Sequence, residues 1–356
     1  MKILRKYYLK EFFKFFGMVL LGLTAISIVA EFFDKASEFY SEKPPLRFII
    51  QYLLLQTPRV ILFALPFASL FSILMTLGMA SKWKETITIR ASGGSTKRVF
   101  SFFLVLGLII SLAALFLGET IVPAATKKAS WVRQVKILKH SPKIAYRKEA
   151  LWLKGRESSL IRISGFVEDG NRILKTSIFT FTPSFSLEKR IEAESAEWAG
   201  NAWELKNVKV FDIGNNITKN YSSLMTNLIE EPKIFREEMK QPDEMNFFEL
   251  QTYYSRLQKA GFKNVKYLVR LYEKLAYPAI NFVMILFGIA LALNSNWGGG
   301  MRAVGLGVII SIVYWLSYSI TISLGTTGIL QPWLASWASP IVFGIAGGIM
   351  YSKINE

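Results

Sequence analysis

"KETITIRASGGSTKRVF", residues 84–100, stands between two long apolar stretches and is the most charged and most helix-like short segment in that part of the chain. Glu85, Ile89 and Ser92 fall at helical spacing, Gly93-Gly94 is a pair that ends a helix, and Ser95 is placed to start another. Its flanks decide the fold. Their apolar residues are gathered into blocks rather than spread at the short periods of a soluble core, and roughly 20 such residues cross the hydrocarbon of a bilayer. The sequence is therefore that of a membrane protein. The segment itself is either a solvated loop holding two spans apart, or a short helix on the membrane surface that docks another protein and passes its motion to the spans on either side.

Working outward over the 356 residues, 51% of them hydrophobic, six stretches are long enough to span: 13–33, 60–80, 99–118, 275–293, 303–324 and 333–351. The last two share a run without a charged residue, 303–352, which Gly325, Gly328 and Pro332 divide. Basic residues of short loops set orientation. Lys2, Arg5, Lys6, Lys10 and Lys14 against Glu11, and Lys82, Lys84, Arg90, Lys97 and Arg98 against Glu85, predict that both stretches are cytoplasmic. Six crossings then leave both termini inside and 119–274 outside. No cleavable signal segment is visible at the basic start, and the first apolar stretch is expected to remain as an anchor.

The expected organisation is spans one to three in 1–118, with the short helix near 82–98, an external segment 119–274, and spans four to six in 275–356. The external segment is basic near its start, at Lys127, Lys128, Arg133, Lys136 and Lys139, but long translocated segments are largely exempt from the charge rule. Its centre reads as β. "SLIRIS", "SIFTFTP" and "AWELKNVKVFDI" are strand-like, with hairpin turns at Asp169-Gly170-Asn171 and Gly200-Asn201. Trp198 and Trp203 bracket the second turn and are expected to face each other. An antiparallel domain over about 143–219 is followed by a helical "NFFELQTYYSRLQKAG", residues 246–261, leading into the fourth span.

Chemistry is sparse. The chain has no cysteine and one histidine, His140, which removes thiol nucleophiles and the common Cys/His metal sites. The net charge of +17 lies largely beside spans, where it orients the chain or meets anionic lipid rather than nucleic acid. No stretch has the spacing of a phosphate-cradling loop, so energy for work against a gradient has to come from another chain. Glu192 and Glu194, with Glu197 nearby, read as a solvated strand face rather than an acid/base pair. Gly298 to Gly300 form a short inner turn.

"LLLQTPRVILFALPFASLFSILMTLGMASKWKETITIRASGGS", residues 53–95, resembles the lipopolysaccharide-export permease family (LptF/LptG type). The match lies in Pro58 and Pro66 of the second span, Leu77-Gly78, Glu85, and the turn Ala91-Ser92-Gly93. It continues at "LWLKG", "LYEKLAYPAINFVMILFGIALAL" and "GILQPWLASWASP", and the second half is more similar to the LptG type. The resemblance implies an α-helical inner-membrane protein of a Gram-negative cell with six transmembrane helices and an inserted periplasmic antiparallel, β-jellyroll-like domain. It also implies a non-catalytic transport subunit without a cofactor. Its partners would be a cytoplasmic ABC ATPase dimer, a second homologous permease chain, a periplasmic jellyroll bridge and lipopolysaccharide itself.

On that resemblance, Glu85, Ile89, Arg90, Ala91, Ser92 and Gly93 form the element coupled to the ATPase. Drawing an acyl chain of about twelve carbons into water costs on the order of 10 kcal/mol at about 0.8 kcal/mol per methylene, so extraction needs external energy and a greasy acceptor. Ile161, Ile163, Phe179 and Phe181 are candidate inward positions for that acceptor, or ordinary core. Arg59 either meets lipid phosphate or snorkels to the interface, and Lys35 is a weaker candidate of the same kind. Glu31, where some LptG-type chains carry lysine, needs a partner such as Arg59 or Lys35. Two other readings share these features: a mechanotransmitting ABC subunit that passes no lipid, and a membrane enzyme acting on envelope lipids.

Overall fold

The computed structural model describes residues 2–138, 144–154, 159–167, 171–182, 186–213, 217–229, 241–259, 265–293 and 301–354. His140, the turn at Asp169-Gly170 and the glycines 298–300 lie outside these residues. The helices are α1 (Lys2–Asp34), α2 (Ala36–Glu42), α3 (Leu46–Lys82), α4 (Glu85–Ala91), α5 (Thr96–Phe100), α6 (Phe102–Phe116), α7 (Val122–Trp131), α8 (Phe247–Lys259), α9 (Val265–Leu293), α10 (Met301–Thr326) and α11 (Pro332–Ser352). Among the described residues, six helical runs are long and apolar enough to cross a membrane: Ile3–Asp34, Leu46–Lys82, Thr96–Ile137, Val265–Leu293, Arg302–Thr326 and Pro332–Ser352.

The third run departs from expectation. It continues past residue 118 through two π-helical turns, Leu117–Ile121 and Val132–Ile137, so the first basic part of the inserted segment is a helical extension of the span. Apolar residues on one side of that extension explain its persistence: Ala129, Val132 and Ile137 pack with Phe39 and Tyr52. Between α10 and α11 the break falls as read, with Gly328 at φ +82° and Pro332 at the first turn of α11.

At the centre of the bundle stands α9, whose Ile280, Met284, Ile285, Ile289 and Leu291 share a core with Leu70, Ile73, Leu74 and Leu77 of α3 and with Phe103 and Leu106 of α6. Small residues set the helix separation where van der Waals packing drives association. A Cβ on Gly288 would lie 1.8 Å from Ile73 Cγ2. Pro278 lies inside α9, and on the same helix the Phe282 amide donates to Ser111 Oγ of α6 at 3.1 Å. A neighbouring span thus supplies a polar partner that lipid cannot.

The inserted segment forms one six-stranded antiparallel sheet in chain order: β1 (Ile144–Lys154), β2 (Ser159–Val167), β3 (Arg172–Phe181), β4 (Leu187–Trp198), β5 (Trp203–Asp212) and β6 (Ile217–Thr226). Ile161 lies opposite Ile178, Ile178 opposite Ile191, and Ile191 opposite Val210, so one face is aliphatic across four strands. Lys175 and Asn207 adopt left-handed φ of 49° and 54°, and the pairing skips both. Such residues re-aim the strand as a bulge does, which lets Val208 and Leu205, three positions apart, join the same core. Trp198 pairs with Trp203 across Gly200, with ring centroids 5.4 Å apart.

Gly288→Val is expected to lower the stability of the bundle by about 1–3 kcal/mol through overpacking, measured as a melting shift in detergent. Adding Ile73→Ala is expected to recover part of the loss, whereas an unshifted single variant would mean that α3 and α9 do not meet there.

Candidate functional site

The sheet is inserted between the third and fourth spans, so it joins one end of the bundle. At the far end lie the start of α1, helices α4 and α5, and the end of α11. The loop there folds as the spacing of residues 84–100 predicts. Gly93 at φ +76° donates its amide to Arg90 O, Gly94 donates to Ile89 O, both at 2.9 Å, and together they close α4. Ser95 Oγ then accepts from the Arg98 amide at 3.2 Å and caps α5.

The residues read as the coupling element divide between the two faces of helix α4 and its C-terminal turn. Glu85 is half-buried, and its Oε2 accepts from Tyr8 OH of α1 at 2.7 Å. Ile89, one turn on, packs against the bundle core, and Arg90 is half-buried beside it. Ala91, Ser92 and Gly93 are exposed. The large apolar group that α4 turns outward is Ile87, 60% exposed, and Trp83, 67% exposed, stands outward at the end of α3, neither singled out in the sequence. The signal was present: Ile87 and Ile89 are two residues apart, so on a helix they cannot share a face.

At the sheet end a cavity of about 470 Å³ is lined by apolar residues of α3 and α9, including Val60, Phe63 and Tyr277, and by seven charged side chains. Arg59 of α3 pairs with Asp243 at 2.9 Å, Arg270 with Glu273 at 2.6 Å and Lys274 with Glu119 at 3.4 Å, leaving Glu31 as the fourth acid. Tyr318 OH donates to Glu273 at 2.7 Å, and the Phe247 amide donates to Glu119. Glu31 takes its hydrogen bond from Tyr52 OH at 2.7 Å, not from Arg59 or Lys35. Lys35 instead pairs with the neighbouring Asp34 at 2.5 Å and does not line the cavity.

Asp243 and Glu244 sit on a short 3-10 turn, Pro242–Glu244, that lies between the sheet and α8 in the chain. Burial pushes the Glu244 carboxyl above its ordinary range, outweighing the opposing hydrogen bond with Ser130. A raised carboxylate pKa means that the folded state holds its proton to higher pH than the unfolded state. The stability this contributes is present below about pH 4.5 and is lost as pH rises through the raised value. Glu244→Gln is therefore expected to melt higher than the wild type near pH 7, with the difference shrinking toward pH 4.

The register divides the four candidate lipid positions between two faces, a correction to their grouping as inward residues. Ile161 and Ile163 are each 1% exposed in the aliphatic core. Phe179, opposite Leu160 and Arg190, is half-buried on the other face, with the Arg190 guanidinium 5.9 Å from its ring centroid. Phe181 follows a register shift after Thr180 and is also half-buried. The strand carboxylates are in charge pairs or side-chain bonds: Glu192 with Arg190, Glu194 with Asn207, and Glu197 with Lys206 and Arg172. An uncompensated charge in the core costs at least about 3 kcal/mol. Ile163→Lys should thus expose the sheet to trypsin, while Phe179→Lys should leave it resistant.

A six-span bundle with a polar cavity at one end, a capped short helix at the other and an inserted sheet defines a multi-pass membrane protein. The family model for the lipopolysaccharide export system permease LptF/LptG matches residues 6–353, and the chain belongs to that family. The comparison with curated proteins found no match. Membership assigns the chain to lipopolysaccharide export and to the inner membrane.

Proposed function

We propose that the chain is one permease subunit of an ATP-driven exporter that extracts lipopolysaccharide from the inner membrane and passes it to a periplasmic jellyroll bridge. The far end, with α4 and both termini, faces the cytoplasm, and the sheet lies in the periplasm. The observation that carries this reading is α4, a capped helix that presents Ile87 outward, beside the exposed Trp83 at the end of α3, while Glu85 and Ile89 fasten it to the bundle. Such a helix docks on the ATPase dimer through its outer face. Glu85, bonded to Tyr8, passes the movement into α1. A second homologous permease chain completes the complex, for which α1 and α10 offer exposed apolar residues such as Leu21, Ile26, Ile309 and Ile312.

The aliphatic face of the sheet favours a second reading. Because Ile161 and Ile163 are fully packed, lipid has no open path over them in this state, as suits a subunit that transmits motion without passing lipid.

Purification of the tagged chain from native membranes separates the possibilities. ATPase activity should co-elute with the wild type, and Ile87→Asp should reduce it at least tenfold, the effect of about 1.4 kcal/mol of lost binding. Glu85→Ala should weaken coupling between hydrolysis and lipid export. Retention of the ATPase by Ile87→Asp with normal export would remove α4 as the docking element. Photo-crosslinking of lipopolysaccharide on the sheet, if absent in an exporting complex, would favour the second reading.

A further inference from the structure

Three cations line the cavity at the sheet end, and their settings differ. Lys274 and Glu119 have side chains only 15% and 22% exposed, and Glu119 also holds the Phe247 amide. Glu273 is 17% exposed and bonded both to Arg270, a neighbour on its own helix, and to Tyr318. Removing one partner from such enclosed pairs strands the other charge at high cost. Arg59 is the exception. Its side chain is 53% exposed, that of Asp243 is 35% exposed, and Asp243 belongs to the turn between the sheet and α8 rather than to a span. Exposed pairs of this kind contribute little, whereas a guanidinium bound to phosphate in a fork is held by two charge-assisted hydrogen bonds.

We propose that Asp243 occupies on Arg59 the position of a lipid phosphate, so that a phosphorylated headgroup entering the cavity displaces Asp243 and releases the turn that leads from the sheet. The proposal rests on the export reading above and names a substrate-recognition residue within it. The occupant is a lipid rather than free phosphate because Arg59 shares its wall with Val60, Phe63 and Tyr277, surfaces suited to a chain and not to an ion. Exchange of one anion for another at Arg59 creates no unpaired buried charge on the arginine, and the released Asp243, already one-third exposed, reaches water. Headgroup arrival and movement of the sheet's exit turn are thereby one event.

The test uses the complex as purified from native membranes, with a photoreactive phenylalanine analogue in place of Phe63. The probes are purified lipopolysaccharide and the same material stripped of its phosphates. Asp243→Asn is expected to raise capture of the phosphorylated lipid by about threefold, the range an exposed ion pair supplies, and to leave capture of the stripped lipid unchanged. Arg59→Gln should lower phosphorylated capture, and the double variant should behave as Arg59→Gln. A measurement on the unaltered chain guards against misfolding of the variants: phosphorylated lipid should speed hydrogen exchange at residues 241–247, and stripped lipid should not. Unchanged or reduced capture in a folded Asp243→Asn complex, or exchange that phosphorylated lipid leaves constant or slows, overturns the proposal. If lipid is captured equally in all variants, Asp243 loses this role and the export reading stands. If the wild type captures no lipopolysaccharide here or at any other position, both fall.

Discussion

Hydrocarbon offers no partner to a polar group, and the arrangement of this chain follows from that constraint. Within the spans, polar groups find partners on neighbouring helices, as the Phe282 amide finds Ser111. Charges are gathered toward the two ends. At the sheet end they meet acids from distant parts of the sequence: Arg59 with Asp243, Lys274 with Glu119. These pairs bind α3, α9, the extended third span and the 3-10 turn after the sheet around one cavity. The same contacts that satisfy the charges therefore tie the inserted segment to the bundle.

The sheet answers a different requirement. A lipid leaving a bilayer would need continuous apolar cover, and in the proposed exporter the aliphatic face of β2 to β5, kept continuous by the left-handed residues Lys175 and Asn207, is where it would be sought. In the present conformation that face is buried. Passage of lipid over it requires separation of packed residues, which is where energy delivered through the far end would be used. The bundle core between the two ends is close-packed around Gly288 and Ile73, and such interiors transmit displacement rather than absorb it.

Much of the fold was legible because its signals are local. The six spans follow from apolar length, the loop at 84–100 from its glycines and serine, and the Trp198–Trp203 hairpin from Gly200 and its flanks. The continuation of the third span to Ile137 was missed because its polar residues read as external loop, although Ala129, Val132 and Ile137 form a buried stripe. The site was less legible for a physical reason. Arg59 was visible as a charge beside a span, but its partner is 184 positions away, and spacing carries no information about such pairs. The facing of Phe179 depended on a register that one residue reverses, and the outer face of α4 on which of two isoleucines packs inward.

The central claim is that ATP hydrolysis at the far end drives lipid movement at the sheet end. The most direct measurement reconstitutes the co-purified complex in proteoliposomes containing lipopolysaccharide and follows its ATP-dependent transfer to an acceptor protein outside. The account predicts transfer that requires hydrolysable ATP and rises with the amount hydrolysed. Sustained hydrolysis without lipid reaching the acceptor, or transfer at the same rate without ATP, would contradict it.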